Sequence, residues 1–308
     1  MNVLFIPCYT DGLPYTTASV RFRAEWPARY WPEAEVYPNM TRRLLDYDAY
    51  VFQKAYLTQW TQETAAALRA KGKLLAFDIC DADWLRSQEH ERRLLNALRL
   101  FDFAVCPTAA IQSYMNIWLP AHVIPDRIDL EEYKPGISRL WSHPSLVWFG
   151  YSHNLGELDH IWQELEPVLD DHDLPLTILS DGLPPEWACR KWGDGRSPAW
   201  VKWTSAGANA EIAKHSIALV PQRDRYKSDN RSTTAWALGV VPVAGVDAVL
   251  DVLDLEDILA EQAWGRDYVR RERDVRQSVA EWKGLLEKYA QRPGGVLTCD
   301  PNTKGDPA

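Results

Sequence analysis

The sequence predicts an α/β protein with two Rossmann-like, doubly wound domains, each built on a parallel sheet, that face a cleft. Short apolar runs alternate with helical patterns along most of the 308 residues, which is typical of parallel βαβ units. The alternation stops once, in the polar segment 131–144 with two prolines and one glycine, and then starts again. A chain of this length also has room for two domains.

The first half of the chain contains apolar runs with the length of buried strands, separated by helical patterns. The clearest helix consists of good helix formers, TQETAAALRAKG, and ends at Gly72. We expect strands at Met1–Pro7, Ala34–Pro38, Tyr47–Gln53, Lys73–Ile79, Phe101–Pro107 and His122–Asp126, and helices around Val20–Tyr30, Thr61–Gly72 and Gln88–Leu100. Together they predict a first domain over 1–130, followed by a linker over 131–144.

The second half repeats the same alternation and predicts a second domain over 145–266. We expect strands at Ser145–Tyr151, Pro175–Asp181, Trp200–Thr204, Ser216–Gln222 and Val240–Gly245, and helices at Leu155–Leu169, Ala208–Lys214, Asp229–Leu238, Asp247–Trp264 and Asp267–Ala290. The last of these helices carries an apolar stripe that includes Val279, Trp282 and Tyr289. The Pro/Gly-rich tail 291–308 is expected to be mobile.

Composition narrows the class of protein. Hydrophobic residues make up 46% of the chain, which excludes disorder throughout, and no apolar run is long enough to span a bilayer. The formal net charge is −9, so a nucleic-acid partner is not expected. Five scattered cysteines without a CxxC pair indicate neither a disulfide framework nor a zinc site. With no signal-peptide pattern at the N-terminus, these features favour a cytoplasmic protein.

The 15 tryptophans leave two interpretations open. Indole rings stack on sugars and bases, which favours a carbohydrate ligand. Tryptophan also fills cores because it buries a large area, and this is the more common role of any single Trp.

The strongest local signal is PQRDRYKSDNRSTTAWALGVVPVAG, from Pro221 to Gly245. A buried strand ends there, a loop follows with Lys227, and Ser228 or Asp229 offers a side-chain cap for a helix that contains Arg231. Free N–H groups and a partial positive charge at a helix N-terminus suit a phosphate. The alternative is a well-capped surface helix with incidental basic residues.

Two further clusters follow predicted strands. Gly150 allows close approach of a ligand to the backbone, and Ser152 and His153 offer hydrogen bonds to a phosphate or a sugar hydroxyl. Asp78 and Asp81 come at the end of a first-domain strand, where a general base or an acceptor-binding carboxylate would lie. Asp81 and Asp83 form a DxD pattern, for which metal binding is not expected and helix capping is a comparable alternative.

Several of these segments resemble glycosyltransferases of the GT-B fold, particularly the family 4 (group 1) type and its bacterial and phage members. KSDNRSTTAWALGVVPVAG resembles their donor-binding helix with the A-x-G-x-P-V stretch that follows it. Other loose matches occur in the same order between Met1 and Gly245: SVRFR, GKLLAFDICDADW, CPTAAIQSYM, VIPDRID and LVWFGYSHN. The order of the segments, more than any one of them, carries the resemblance.

The resemblance implies transfer of a sugar from a nucleotide-sugar to an unknown acceptor, without a metal or a cofactor, and with retention of anomeric configuration. The first domain would take the acceptor and the second the donor, with the last helix crossing back to the first domain. Donor binding then falls on Gly150, Ser152, Lys227, Ser228, Asn230, Arg231 and Thr234, and catalysis on Asp78, Asp81 and His153.

One departure from the family pattern keeps other functions open. Family 4 members place a Glu where this chain has Thr234, and a second family Glu is missing near Tyr226 and Lys227. A non-catalytic protein that binds nucleotide-sugars or carbohydrates fits this loss. An epimerase of similar fold that acts on nucleotide-sugars is the other alternative.

Overall fold

The structure is a computed structural model that describes residues 1–10, 13–14, 17–136, 143–182, 195–221, 224–254 and 258–291. The tail from 292, which was expected to be mobile, and residues 137–142 of the expected linker lie outside the described residues. The chain divides into two compact units, Met1–Ile124 with Ser278–Ala308, and Pro125–Gln277. No helix in the described part of the chain is both long and apolar enough to cross a membrane.

Unit 1 is built on a six-stranded parallel sheet in the order β4-β1-β5-β6-β7-β8. Its strands are β1 (Val3–Ile6), β4 (Ala34–Val36), β5 (Ala49–Gln53), β6 (Leu74–Asp78), β7 (Phe103–Cys106) and β8 (Ala121–Val123), and a short antiparallel pair, β2 (Tyr9–Thr10) and β3 (Leu13–Pro14), follows β1. The central strands are buried, which explains why they read as continuous apolar runs.

The helices of unit 1 follow the strands in βαβ order. They are α1 (Ala18–Val20), a π-helical turn (Arg21–Glu25) that continues into α2 (Trp26–Arg29), α3 (Gln59–Ala70), α4 (Gln88–Leu98) and α5 (Ala109–Met115). Side-chain oxygens of Thr58, Ser87 and Thr108 accept backbone N–H bonds in the first turns of α3, α4 and α5. These caps explain where each of the three helices begins.

Unit 2 has a five-stranded parallel sheet in the order β11-β10-β9-β12-β13. Its strands are β9 (Leu146–Phe149), β10 (Leu176–Ser180), β11 (Ala199–Lys202), β12 (Ile217–Leu219) and β13 (Val241–Val243), and its helices are α6 (Gly156–Asp159), α7 (Trp162–Asp171), α8 (Ala208–Ile212), α9 (Asn230–Leu238), α10 (Val246–Leu253) and α11 (Ile258–Glu272). Both units are therefore parallel-sheet α/β domains, which confirms the predicted fold class.

The last helix, α12 (Val275–Ala290), supplies part of the unit 1 core from Ser278 onward. Val279, Trp282, Leu286 and Tyr289 pack against β1 and β7. The Trp282 ring meets Phe5 edge-on at 6.0 Å, and Tyr289 stacks on Phe103 at 4.2 Å. The apolar stripe seen in the sequence is thus the buried face of this helix.

Three helices that were expected to be continuous are divided in the structure, and one of them is Leu155–Leu169, which forms α6 and α7. The segment expected to be one helix from Asp267 to Ala290 is divided between α11 and α12 at Arg273 and Asp274. Asp274 forms a parallel bridge with Ile128, and its carboxylate accepts from the backbone N–H of Arg276 at 2.8 Å. No proline or glycine marks this break, because a distant segment causes it. The expected helix Asp247–Trp264 is likewise two helices, α10 and α11.

The two units divide at Pro125, whereas the sequence placed the end of the first domain at residue 130. Residues 126–129 bond to unit 2: Ser228 donates to Asp126 at 2.6 Å, and Arg127 donates to the carbonyl of Glu272 at 3.1 Å. The functional division into acceptor and donor domains stays a prediction.

Gly265 brings α11 unusually close to α9. A Cβ atom at this position would lie 1.8 Å from the ring of Trp236. The indole therefore packs directly on the backbone of α11.

Candidate functional site

The candidate site lies at the carboxyl edge of the unit 2 sheet, where β9 and β12 end side by side. The two strands are parallel neighbours, with Trp148 paired to Leu219. The loop after β9 and the segment that leads into α9 therefore leave the sheet at the same edge. This topology puts Gly150 and Ser152 near the start of the helix that carries Arg231.

The start of α9 lacks the side-chain cap that the sequence suggested. Asp229 occupies the N-cap position but makes no capping hydrogen bond, and its carboxylate instead accepts from Arg273. Ser228 is buried and donates to Asp126, so it does not cap the helix either. The capping interpretation was wrong because both side chains bond to residues far away in the sequence. Neither side chain therefore accepts a hydrogen bond from the backbone N–H groups in the first turn of α9.

Arg231 lies in the first turn of α9. Its Nη2 donates to Oε2 of Glu157 at 2.6 Å, and both side chains are mostly buried. Its Nη1 is buried and has no hydrogen-bond partner among the described residues. A buried donor without an acceptor costs about 1–3 kcal/mol. Arg231 thus donates to Glu157 through Nη2, while its Nη1 has no partner in the described part of the chain.

Gly150 lies directly beside this guanidinium. A Cβ atom at residue 150 would be 3.6 Å from Nη1 of Arg231 and 3.1 Å from the ring of Trp148. A Cβ here would press on the indole of Trp148 and reach ordinary van der Waals contact with Nη1, so the lack of a side chain lets the backbone of residue 150 lie close to both groups. The indole N–H of Trp148 and the hydroxyl of Thr233 are also buried without a partner in the described part of the chain.

Ser152 and His153 follow Gly150 but differ in their surroundings. The backbone N–H of Ser152 donates to Asp181 at 2.7 Å, and this bond lowers the pKa of Asp181. His153 is exposed and stacks on Tyr151 with the ring planes 10° apart. The structure therefore places Ser152 beside the end of β10 and His153 in solvent.

The remaining predicted donor residues lie along α9 and the turn before it. Asn230 is the first residue of the helix and Thr234 is buried in its second turn. Lys227 is half-buried in the turn that precedes Ser228. Lys227 precedes the first residue of α9 and Arg231 follows it, with the carboxylates of Asp229 and Glu157 at the same helix end.

Asp78 occupies the end of β6 in unit 1 and is 1% exposed. Arg23 binds it through two arms, Nε at 2.8 Å and Nη2 at 2.6 Å from the same oxygen. Arg23 also donates to the carbonyl of Ile124 at 3.1 Å. This buried, bidentate pair ties three elements together, and its carboxylate does not reach solvent. A proton-transfer role for Asp78 stays a prediction that this pairing disfavours.

Asp81, three residues further on, is partly exposed and pairs with Lys54 at 2.5 Å. Lys54 is also 3.0 Å from Asp83, which in turn accepts from the hydroxyl of Tyr56. Burial acts to lower the pKa of Lys54, but the charges on Cys80, Asp81 and Asp83 outweigh it and raise that pKa well above its usual value. The DxD carboxylates thus hold a lysine, and Ser87 rather than either aspartate caps α4.

Within the described ranges, no three His, Cys, Asp or Glu side chains form a group that could hold a metal ion. Sequence reasoning missed Glu157, Trp148 and Thr233. The only sequence signal for Glu157 was its place in an acidic first turn just after the Gly150 loop. Trp148 and Thr233 gave no sequence signal, because a buried donor without an acceptor can be recognised only in the three-dimensional structure.

No protein-family profile matches the sequence, and no protein of curated function does either. Solved structures do resemble the chain. The alpha-glucosyltransferase AGT in complex with UDP has a TM-score of 0.61 and 10% identity over 94% of this chain and 99% of its own, and it is also solved with a 13-mer DNA. A glycosyltransferase from Rickettsia africae ESF-5 has a TM-score of 0.63 and 8% identity over 95% and 99%.

TarM has a TM-score of 0.59 and 8% identity over 77% of this chain, which spans 54% of the length of TarM. At such low identities these likenesses establish the fold, with two Rossmann-like domains as in the GT-B fold. Membership of family 4 stays a prediction.

Proposed function

We propose that the chain is a glycosyltransferase that moves a sugar, a hexose or a related unit, from a nucleotide-sugar to an acceptor in the cytoplasm. The observation that carries this proposal is the buried Nη1 of Arg231, which has no partner in the described structure and lies beside Gly150 at the uncapped start of α9. A diphosphate supplies the acceptors that this arrangement lacks. The likeness to a UDP-bound alpha-glucosyltransferase supports the same assignment.

The chemistry asks for stabilisation of negative charge on the leaving nucleoside diphosphate. Arg231, held by Glu157, and the N–H groups at the start of α9 supply positive potential in fixed orientation, and Lys227 lies in the turn just before the helix. Fixed dipoles and cations of this kind stabilise developing charge without reorganisation. Transfer therefore needs no metal in our proposal. We expect retention of anomeric configuration and assign the chain to family 4 on the sequence resemblance alone.

The acceptor of this chain cannot be inferred from the acceptors of the structurally similar proteins. AGT is solved with DNA, but this chain has 43 acidic against 34 basic residues, a balance that opposes binding to a polyanion. We therefore propose an acceptor other than DNA.

The competing functions are a non-catalytic binding protein and a nucleotide-sugar epimerase. The absence of a Glu at Thr234 favours the first, because ribose recognition in the family depends on that position. The chain would then bind nucleotide-sugars and release no product.

One experiment separates these functions. UDP-, GDP- and ADP-sugars are incubated with the full chain, alone and with a panel of acceptors, and both the nucleotide and the sugar products are analysed. Release of nucleotide that depends on an acceptor, and is lost in Arg231→Ala, supports the transferase. An altered sugar without transfer identifies an epimerase, and binding without turnover identifies a binding protein; either result overturns the proposal.

A further inference from the structure

Two arginines in the unit 1 segment SVRFR have opposite surroundings. Arg23 is buried and fully engaged by Asp78 and the carbonyl of Ile124. Arg21 is half-buried and forms no hydrogen bond or ion pair with any described residue, and its Nε is buried without a partner. A guanidinium N–H that is buried without an acceptor costs free energy, so the unpaired Nε of Arg21 needs a reason.

The π-helical turn fixes where Arg21 points. The N–H of Trp26 donates to the carbonyl of Arg21, five residues earlier. Residues five apart diverge by about 140° around a regular α-helix, whereas the wider π turn brings them closer together around the axis. The guanidinium of Arg21 accordingly lies 5.7 Å from the ring centroid of the buried Trp26. Stacking on an indole holds the cation in place without neutralising it.

The same turn lies at the carboxyl edge of the unit 1 sheet. Arg23 reaches Asp78 at the end of β6 and Ile124 just beyond β8, so the turn is anchored over the ends of these strands. A second buried donor without a partner occurs at this edge: Gln53, at the end of β5, accepts from Cys8 through Oε1 and leaves Nε2 unpaired. Ligands of parallel α/β sheets bind at this edge.

We propose that unit 1 binds an oxyanion group, a phosphate or a carboxylate, carried by the acceptor, and that Arg21 is the residue that recognises it. An oxyanion accepts from the free Nε and Nη groups together and removes the cost of the unpaired Nε. This inference rests on the proposed transferase function, since it specifies the chemical class of the acceptor. A neutral sugar offers no such counter-charge.

The side-chain Nε–Hε signals of Arg21 and Arg231 in the ¹⁵N-labelled full chain provide the test, each assigned by loss of its signal in the Arg→Lys variant. Glucose 6-phosphate, glucuronate and glucose serve as probes. We expect the Arg21 signal to respond to at least one anionic sugar at a concentration about tenfold or more below that needed for glucose, the worth of a charge-assisted hydrogen bond. Comparison of the titrations with glucose 6-phosphate and with glucuronate shows whether the site prefers a phosphate or a carboxylate.

Two variants complete the design. Arg21→Ala should lose the preference for the anionic sugar, measured by calorimetry, while Arg92→Ala, which removes an exposed arginine paired with Glu89 on α4, should keep it. Equal response to glucose, or an anion preference that survives Arg21→Ala, overturns the inference. The Arg231 signal, followed during titration with nucleoside diphosphates, reports the donor site separately. A response there with none at Arg21 leaves the transferase proposal standing and rejects this one.

Discussion

Glu157 holds Arg231 by one arm only: Oε2 of Glu157 accepts from Nη2 at 2.6 Å, while the neighbouring Nη1 stays buried and unpaired among the described residues. The pair joins a short helix after β9 to the first turn of α9, across 74 residues of sequence. The carboxylate thus orients the guanidinium towards Gly150 and still leaves Nη1 without a hydrogen bond to any described residue. Glu157 is a positioning residue for the proposed diphosphate site.

Two replacements of Glu157 should distinguish its role in orienting Arg231 from the effect of its negative charge. Glu157→Ala frees the guanidinium to rotate and should weaken nucleoside-diphosphate binding by about tenfold, the worth of one charge-assisted hydrogen bond. Glu157→Gln keeps an acceptor for Nη2 and should bind at least as tightly as the parent chain. Calorimetric titration with UDP, GDP and ADP, with melting temperatures as a check on folding, measures both. Tighter binding in Glu157→Ala would instead show that the carboxylate competes with the ligand.

Arg231→Ala should weaken nucleoside-diphosphate binding by about 1.5–3 kcal/mol, because a charge-assisted hydrogen bond is lost. Arg231→Lys should recover only part of this, since lysine cannot occupy the Glu157 arm and a ligand arm in one plane. Calorimetry on the folded variants measures their affinity for nucleoside diphosphates, and Arg270→Ala on α11 is the control. An affinity unchanged in Arg231→Ala would count against the donor site.

Transfer should survive chelation. Arg231 and Lys227 stand at the helix start where a metal would otherwise neutralise the diphosphate, and the DxD carboxylates already bind Lys54. Turnover measured before and after EDTA treatment should be equal within error. Complete loss of turnover, with recovery on addition of Mn²⁺, would contradict this and bring Asp81 and Asp83 back as ligands.

His215 should make the fold sensitive to acid. It is buried, its Nδ1 lies 3.1 Å from the hydroxyl of Ser145, and burial lowers its pKa to about 4. Since the unfolded chain has a histidine pKa near 6.5, the unfolded state binds the proton first as pH falls. The contribution is therefore complete above pH 6.5 and is lost between about 6.5 and 4, by about 3 kcal/mol in total.

Urea unfolding at several pH values checks this. His215→Asn keeps an acceptor or donor near Ser145 and removes the titration, so its free energy of unfolding should vary less between pH 6.5 and 4 than that of the parent. His172→Asn, on the exposed end of α7, is the matched control and should follow the parent. A parallel pH dependence in His215→Asn would show that other groups cause the acid sensitivity.

Trp282→Ala should destabilise unit 1 by about 3–5 kcal/mol, because a large ring that meets Phe5 edge-on leaves a cavity in the core. Trp118, also in unit 1, is 43% exposed, and Trp118→Ala should cost much less. Chemical denaturation of the two variants compares the losses. Similar small losses would mean that the last helix contributes little to the core.

The alternation of strands and helices was predictable because buried parallel strands and capped helices leave local marks. Thr58, Ser87 and Gly72 are such marks, and the elements they bound lie close to where expected. Trp26, Trp148 and Trp282 are buried, so the core interpretation holds for these tryptophans, while Trp60, Trp118 and Trp264 are exposed.

The site was predictable only in part. The place of Gly150, Ser152 and Arg231 at one sheet edge could be predicted from a strand end and a helix start, and their binding roles stay predictions. Ser228 could not be interpreted correctly, because its partner, Asp126, lies 102 residues away. Glu157 and the α11–α12 break at Asp274 depend on distant partners in the same way. Contacts between residues so far apart in the chain produce no periodicity and no local spacing in the sequence.

The contact between Gly265 and Trp236 has a consequence for the proposed donor site. α9 presents Arg231 from its first turn and Trp236 from its second, and the indole rests on bare backbone at Gly265. Any larger residue there would have to displace one of the two helices, since an added carbon would overlap the ring. The orientation of the proposed donor-binding end of α9 therefore depends on the absence of a side chain at Gly265, on the neighbouring helix α11.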